Sequence, residues 1–209
     1  MWKQLKRVIK PNGAIVMTAS QPFTTTLIAS NMKMFKYCWV WDKGVSGSFA
    51  NAKYSPLKTH EDICVFGEKI SDNYRPQMTL RDKPARIGGV RSGSKQGGRG
   101  IVYNEAKLDS KKTYTHAYPK TVQYFSPRAG KNNRGYHPTQ KPVALMEYLI
   151  KTYTNEGETV LDFTMGSGTT GVACVNQNRQ FIGIEKDDKY YEIAKKRIQE
   201  AEDAMGLFK

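Results

Sequence analysis

Cysteine is scarce in this chain. There are three in 209 residues, Cys38, Cys64 and Cys174, an odd number with no CxxC spacing. That excludes a disulfide-stapled scaffold and the usual cysteine zinc motifs. Each cysteine lies among apolar neighbours, as in Tyr37-Cys38-Trp39, Ile63-Cys64-Val65 and Ala173-Cys174-Val175. Buried thiols in a reducing compartment are therefore expected. The 3 histidines lie far apart, so no metal site is expected. No apolar run reaches the length of about eighteen residues that a membrane span needs, and the first residues lack a signal-peptide pattern. The expectation is a soluble cytoplasmic protein with no membrane partner. Acid is also in short supply, with 19 Asp+Glu against 33 Lys+Arg, for a net charge of +14 and a pI of about 9.6. A polyanion is the first partner such a balance suggests, nucleic acid ahead of a membrane surface. The plain alternative is charge that serves only solubility. Hydrophobic residues make up 39%, which is low for a globular chain but far from a disordered composition. The length suits one domain with a sizeable core and one insertion. There are no internal repeats.

What is present is organised around residues 159–175. Thr159 to Phe163 is a short β-branched and apolar run and reads as a buried strand. Gly166, Ser167, Gly168, Thr169, Thr170 and Gly171 follow as a glycine turn. Val172, Ala173 and Val175 then resume an apolar run that reads as a helix. Strand, glycine turn and helix together bring backbone N–H groups and a helix N-terminus close to a ligand. About twenty residues on, Phe181-Ile182-Gly183-Ile184-Glu185 reads as a second strand ending in a carboxylate. Nucleotide-binding α/β folds place an acid there to accept from ribose hydroxyls. The bland alternative is a tight turn that needs glycine for packing alone.

The remainder supplies a frame. Trp2, Leu5, Val8 and Ile9 have helical spacing, and Lys10-Pro11-Asn12-Gly13 stops that helix. Gly13 to Ala19 reads as a buried strand, Thr24 to Ser30 as a helix, and Phe35 to Trp41 and Ile63 to Phe66 as strands. Ser46 to Thr59 is loop-like. Residues 71–135 carry about 14 Lys/Arg against 4 Asp/Glu, many turn formers and weak periodicity. The run Gly88 to Gly100 cannot pack a core, and Tyr74, Tyr103, Tyr114, Tyr118 and Tyr124 recur around it. Basic residues interleaved with aromatics suit phosphate contacts and base stacking. A surface loop with merely solvated charge is the competing reading. Pro142 then opens a helix whose apolar face is Val143, Leu145, Met146, Leu149 and Ile150. Tyr190 to Met205 is a final amphipathic helix.

These residues carry a resemblance. His137-Pro138-Thr139-Gln140-Lys141-Pro142, the helix after it, Leu161-Asp162-Phe163 with Gly166-Ser167-Gly168-Thr169, and Gly183-Ile184-Glu185 closely resemble the S-adenosylmethionine-dependent DNA amino-methyltransferases. Those enzymes modify adenine N6 or cytosine N4. The order resembles the permuted subgroup, in which the cofactor-binding half follows the target-recognition region. Residues 1–69 also resemble this family, through Lys10-Pro11-Asn12-Gly13, Gln21-Pro22-Phe23, Trp39-Val40-Trp41 and His60-Glu61.

The resemblance implies an α/β protein with the Rossmann-like methyltransferase three-layer fold, a mixed sheet and a basic insertion. It divides the chain into residues 1–69, the C-terminal part of the catalytic half-sheet, residues 70–136, the DNA-binding insertion, and residues 137–209, the S-adenosylmethionine-binding half. It places Asp162, Phe163, Gly166, Ser167, Gly168 and Thr169 beside the amino acid portion of the cofactor. Glu185 would accept from the ribose hydroxyls, and Thr139, Gln140 and Lys141 would help close the methionine end. His137 is expected to be a loop histidine without a chemical task. Double-stranded DNA is the implied partner, with adenine slightly ahead of cytosine on family frequency.

One departure matters. The family's catalytic signature is Asp, Asn or Ser, then Pro-Pro, then an aromatic. It accepts the hydrogens of a poorly nucleophilic exocyclic amine and stacks on the flipped base. No Pro-Pro pair occurs in this sequence, and Ser55-Pro56-Leu57 and Ser126-Pro127-Arg128 lack both the second proline and the aromatic. No catalytic residue can therefore be named. The sequence looks like the family with its N-terminal piece absent, which leaves the sheet incomplete in the middle. The strand matching Val160 to Phe163 and the one matching Ala14 to Met17 would each keep an unpaired edge. Direct pairing of the two, a strand from a second chain, and marginal folding are the three ways out. Methyl transfer would then call for a catalytic strand from elsewhere. The alternatives are a remnant that binds DNA and cofactor without catalysis, or a dinucleotide oxidoreductase, which leaves residues 137–142 unexplained.

Overall fold

A computed structural model describes residues 1–47, 49–86, 113–127 and 135–206. The glycine-rich run Gly88–Gly100 and Tyr103 lie outside the described residues. The chain forms two units, one of Met1–Arg75 with Lys120–Lys209 and one of Pro76–Pro119.

The larger unit begins with α1 (Trp2–Val8), β1 (Ile15–Ala19), α2 (Phe23–Ala29), β2 (Phe35–Asp42) and β3 (His60–Phe66). The smaller unit holds β4 (Thr79–Arg86) and β5 (Thr113–Ala117). The chain then returns through β6 (Val122–Tyr124), α3 (Val143–Tyr153), β7 (Thr159–Asp162), α4 (Thr169–Asn176), β8 (Gln180–Gly183) and α5 (Asp188–Gly206). β1, β3, β2 and β6 form one mixed sheet in that order, antiparallel around β3 and parallel between β2 and β6. β7 and β8 form a separate parallel pair.

β3 shows why this sheet is covered on both faces. Successive side chains on a strand point to opposite faces. Ile63 and Val65 join Trp39, Trp41, Leu145, Leu149 and Tyr153 in one cluster, so α3 covers that face. Cys64 and Phe66 join Leu5, Ile15 and Leu27 in another, under α1 and α2. The unbroken apolar run in β3 is the sequence mark of this two-sided burial. Cys64 and Cys174 are buried as expected, and burial pushes the Cys64 thiol up to about 12. Cys38, in register with Cys64, is only half-buried, a correction to the expected buried thiol. α2 packs over β1 and β3 and leaves this part of β2 less covered.

Leu145, Leu149 and Tyr153 recur every fourth residue along α3 and face the first sheet. Ile150 points to Ala173 and Cys174 of α4. The helix thus wedges the two sheets together. The Tyr153 hydroxyl closes this core. It accepts from Trp39 Nε1 at 2.6 Å and lies 3.0 Å from the Tyr37 hydroxyl. Tyr153→Phe leaves a buried indole N–H without its acceptor. The expected loss is about 1–3 kcal/mol of unfolding free energy, read from urea denaturation. An unchanged midpoint would show that the hydroxyl contributes nothing to the core.

Direct pairing does not close the middle of the sheet. Among the described residues, β1 pairs with β3 and β7 pairs with β8, and β1 and β7 share no ladder. The segments that lead into them are linked by an ion pair, Lys10 Nζ lying 3.7 Å from Glu158 Oε1. Val160 and Phe181 pack against the cluster between α3 and α4. The alternate residues Leu161 and Ile182 remain 38% and 54% exposed, as do Phe163 and Ile184 at 38% and 54%. One face of the β7–β8 pair is therefore apolar and open.

In the smaller unit β4 and β5 are antiparallel, with an irregularity between Leu80 and Ala85. Arg81 and Lys83 are exposed on β4. Among the described residues, no helix is long and apolar enough to cross a membrane, and no group of three His, Cys, Asp or Glu could hold a metal ion.

Candidate functional site

The C-terminal ends of β7 and β8 meet the start of α4 and the loop 136–142 that leads into α3. β7 ends at Asp162, whose carboxylate holds both limbs of the glycine turn. Oδ1 accepts from Thr164 N at 3.1 Å, and Oδ2 accepts from the Thr170 hydroxyl at 2.6 Å. Asp162 thereby fixes the turn to the first residues of α4. Gly168 is the residue before that helix and has φ +76°.

Glu185 follows β8 and is held by three backbone N–H groups. Gly166 N donates to Oε2 at 2.8 Å, and Lys186 N and Asp187 N donate to Oε1 at 2.9 and 3.0 Å. The Asp187 N–H, with those of Gly166 and Lys186, outweighs desolvation and holds the carboxyl below its ordinary value. A carboxylate offers about four acceptor positions, so these three bonds leave capacity for a further donor. The side chain is fixed and charged before any ligand arrives.

The loop 136–142 divides its contacts between the two sheets. Gln140 Oε1 accepts from the Ser167 hydroxyl at 3.2 Å and from Tyr136 N at 3.0 Å. Thr139 N donates to His137 Nδ1 at 3.2 Å. The His137 ring meets Tyr190 edge-on at 4.3 Å, as a loop residue with packing partners. Lys141 Nζ donates to Thr139 O at 3.0 Å and lies 3.2 Å from Glu61 Oε2 and 5.9 Å from the Trp41 ring. Glu61 also pairs with Lys43 at 2.5 Å. Burial pushes the Glu61 carboxyl up, but Lys43 and Lys141 outweigh it and hold the group below its ordinary value.

A lowered folded-state pKa gives Glu61 a contribution that is present above the unfolded value of about 4.3. That contribution is lost as pH falls through the lower folded value. Glu61→Gln should therefore flatten the acid limb of the stability-against-pH curve measured by thermal melts. An acid limb identical to that of the parent chain would contradict the pairing.

The structure brings together Gln140, Asp162, Gly166, Ser167, Gly168, Thr169 and Glu185, and sets Thr139 next to His137. It aims Lys141 at Glu61 and leaves Phe163 on the open face of β7–β8. Ser167 and Thr169 are buried, at 2% and 6% exposure, so their side chains support the turn. Sequence reasoning missed Glu61, Tyr136, Tyr190 and Arg197. Arg197 is 6% exposed and donates to the Ser167 carbonyl. A signal existed, because Arg197 falls on the same helical stripe as Ala194, Ile198 and Tyr190. A cation on the apolar stripe of an amphipathic helix is a reason to look for a buried partner.

The pattern of the DNA methylase family (N6/N4 type) matches residues 1–196. Type II methyltransferase M.HpaI of Haemophilus parainfluenzae is 31% identical over 196 residues, covering 92% of this chain and 55% of that protein. Type II methyltransferase M2.DpnII of Streptococcus pneumoniae is 51% identical over 65 residues, covering 31% of this chain and 24% of that protein. The chain thus spans about half the length of the first of these relatives. Among solved structures, the M1.HpyAVI–SAM complex is similar at a TM-score of 0.61 and 27% identity, covering 93% of this chain and 78% of that one. PvuII DNA methyltransferase, which is cytosine-N4-specific, shares the fold at a TM-score of 0.58 and 14% identity, covering 93% of this chain and 70% of that one. With the glycine turn, the fixed Glu185 and the order of the two half-sheets, these similarities show that the chain belongs to the DNA methylase family of N6/N4 type.

Proposed function

We propose that this chain forms the S-adenosylmethionine-binding and DNA-binding part of a DNA amino-methyltransferase acting on adenine N6 or cytosine N4. The observation that carries this reading is Glu185, held by three backbone N–H groups beside the glycine turn. The donor set fits the cofactor. A fixed carboxylate with spare acceptor capacity suits the ribose diol. The start of α4, framed by Asp162 and Gly168, suits a carboxylate through its N–H groups and dipole. Gln140 borders the same turn through Ser167, and with Thr139 it closes the methionine end. When bound, the cofactor supplies a methyl group activated on a sulfonium. The residues of this chain bind and orient it.

The insertion, residues 70–136, is assigned to double-stranded DNA. Its excess of Lys and Arg supports this, as do the exposed Arg81 and Lys83 on β4. Binding to a DNA duplex should weaken steeply with salt, with a log–log slope of about −3 or steeper. Fluorescence anisotropy across a salt series measures it. A slope near zero would contradict the assignment. The cytoplasm is the compartment this reading implies.

Methyl transfer also calls for the acceptors that a Pro-Pro signature provides, and this sequence has none. We assign that role to a strand seated between β1 and β7, which a further polypeptide segment supplies. The unshared ladders of β1 and β7 and the open apolar face of β7–β8 support it. The test is transfer of tritiated methyl groups to DNA, with and without the part of M.HpaI that lies outside the matched region. Incorporation only with the added segment supports the reading. Incorporation by the chain alone would overturn the need for that strand. Cofactor binding with no incorporation in either mixture would favour a binding remnant without catalysis.

A further inference from the structure

Arg197 closes a circuit that no motif announces. Gly168 and Ala194 meet almost backbone to backbone, because a Cβ on Gly168 would lie 2.9 Å from Ala194 Cα. That contact sets α5 beneath the glycine turn, and Arg197 stands almost one helical turn further on. Its Nη1 donates to the Ser167 carbonyl, to the Ser167 hydroxyl at 3.1 Å and to the Thr169 hydroxyl at 3.4 Å. Its guanidinium carbon lies 4.9 Å from the centre of the Tyr136 ring. Tyr136 N donates to Gln140 Oε1 at 3.0 Å, and the Ser167 hydroxyl donates to that same oxygen at 3.2 Å. The path runs Arg197, Ser167, Gln140, Tyr136 and back to Arg197.

We propose that Arg197 is a positioning residue of the cofactor site, locking the loop 136–142 to the glycine turn so that both present a single preformed surface. The inference rests on the cofactor reading above. A guanidinium suits the task because it is planar, donates in several directions and stacks on an aromatic face at once. An ammonium could donate to the Ser167 carbonyl but would not hold Tyr136 in the same way. A buried charge is weak evidence for stability, since an apolar side chain of similar volume often serves as well. Burial also pushes the Arg197 pKa down.

The experiment compares Arg197→Met, Arg197→Lys and Tyr136→Leu with the parent chain, and uses Lys195→Ala on the exposed side of α5 as a control. Two readouts are taken. One is affinity for S-adenosylhomocysteine by calorimetry. The other is amide hydrogen exchange of residues 136–142 without ligand. Arg197→Met and Tyr136→Leu should each lose affinity by about tenfold or more, as expected when a buried hydrogen-bond network loses one member. Both should speed exchange in residues 136–142. Arg197→Lys should fall between Arg197→Met and the parent, and Lys195→Ala should match the parent. Parent-like exchange and affinity in Arg197→Met, or in Tyr136→Leu if Arg197→Met does not fold, would overturn the proposal. If the parent chain binds no S-adenosylhomocysteine, the cofactor reading fails. The exchange readout still decides whether Arg197 locks the two loops.

Discussion

Replacing Gly168 with alanine is expected to destabilise the chain by about 2–5 kcal/mol and to remove cofactor binding with it. Two costs add. Gly168 has φ +76°, a left-handed conformation that a side chain resists by about 1–2 kcal/mol. A Cβ there would also lie 2.8 Å from Ala194 Cβ and 2.9 Å from Ala194 Cα. The obstacle is helix backbone, so relief requires moving α5 or the turn. Overpacking of this kind costs about 1–3 kcal/mol. Gly157 separates the two costs. Its φ is +77°, but nothing lies within 4 Å of the Cβ position. Gly157→Ala should therefore show only the conformational cost and leave ligand affinity untouched. Equal losses in the two variants, read from denaturant unfolding, would mean that the approach of α5 to the turn is not the constraint.

Glu185→Ala should lower S-adenosylhomocysteine affinity by about 100-fold, which is about 2.7 kcal/mol. The carboxylate accepts from Gly166, Lys186 and Asp187 N–H groups, and in the proposed complex from the ribose hydroxyls. Alanine removes the acceptor of the ligand and also frees the turn at Gly166. Glu185→Gln retains shape and one acceptor oxygen but loses the charge, so its loss should be smaller. The pH dependence carries a sign. The carboxyl sits below its ordinary value, chiefly through the Asp187 N–H. It remains charged as pH falls through the usual carboxylate range, so affinity should hold down to about pH 5 and drop only below the lowered value. A tenfold loss between pH 7 and pH 5 would show that Glu185 is not the group that matters.

β3 was legible from its unbroken apolar run and α3 from its 3.6-residue period. β7 was legible as a strand, but Leu161, at 38% exposure, corrects the expectation that it is buried throughout. β6 was not legible, because Val122, Gln123 and Tyr124 form only three residues of strand, and Val122 and Tyr124 are exposed. It exists through parallel pairing with Val40 to Asp42 of β2. β4 was hidden for a related reason. Its Arg81, Lys83 and Pro84 carry no alternation, and pairing with β5 makes the strand.

At the site, Asp162 and Glu185 could be read from their place at strand ends. Arg197 showed only as a cation on an apolar stripe, and neither its partner nor that of Glu61 could be read, because both partners come from packing. Arg197 meets Ser167 across 30 residues of sequence, and Glu61 meets Lys141 across a longer separation. The resemblance placed Lys141 with its two neighbours at the cofactor. In the structure its ammonium is held by Glu61 on the first sheet, so its reach is set by β3. The division of the sheet was foreseen from the missing Pro-Pro pair. The structure adds the open face of Leu161, Phe163, Ile182 and Ile184, which the alternation of β7 and β8 produces.

Calorimetric titration of S-adenosylhomocysteine into this chain tests the central claim most directly. The account predicts saturable binding at one site per chain, weakened by about 100-fold in Glu185→Ala while that variant remains folded. A folded parent chain with no saturable heat at millimolar ligand, or binding that Glu185→Ala leaves unchanged, would contradict it.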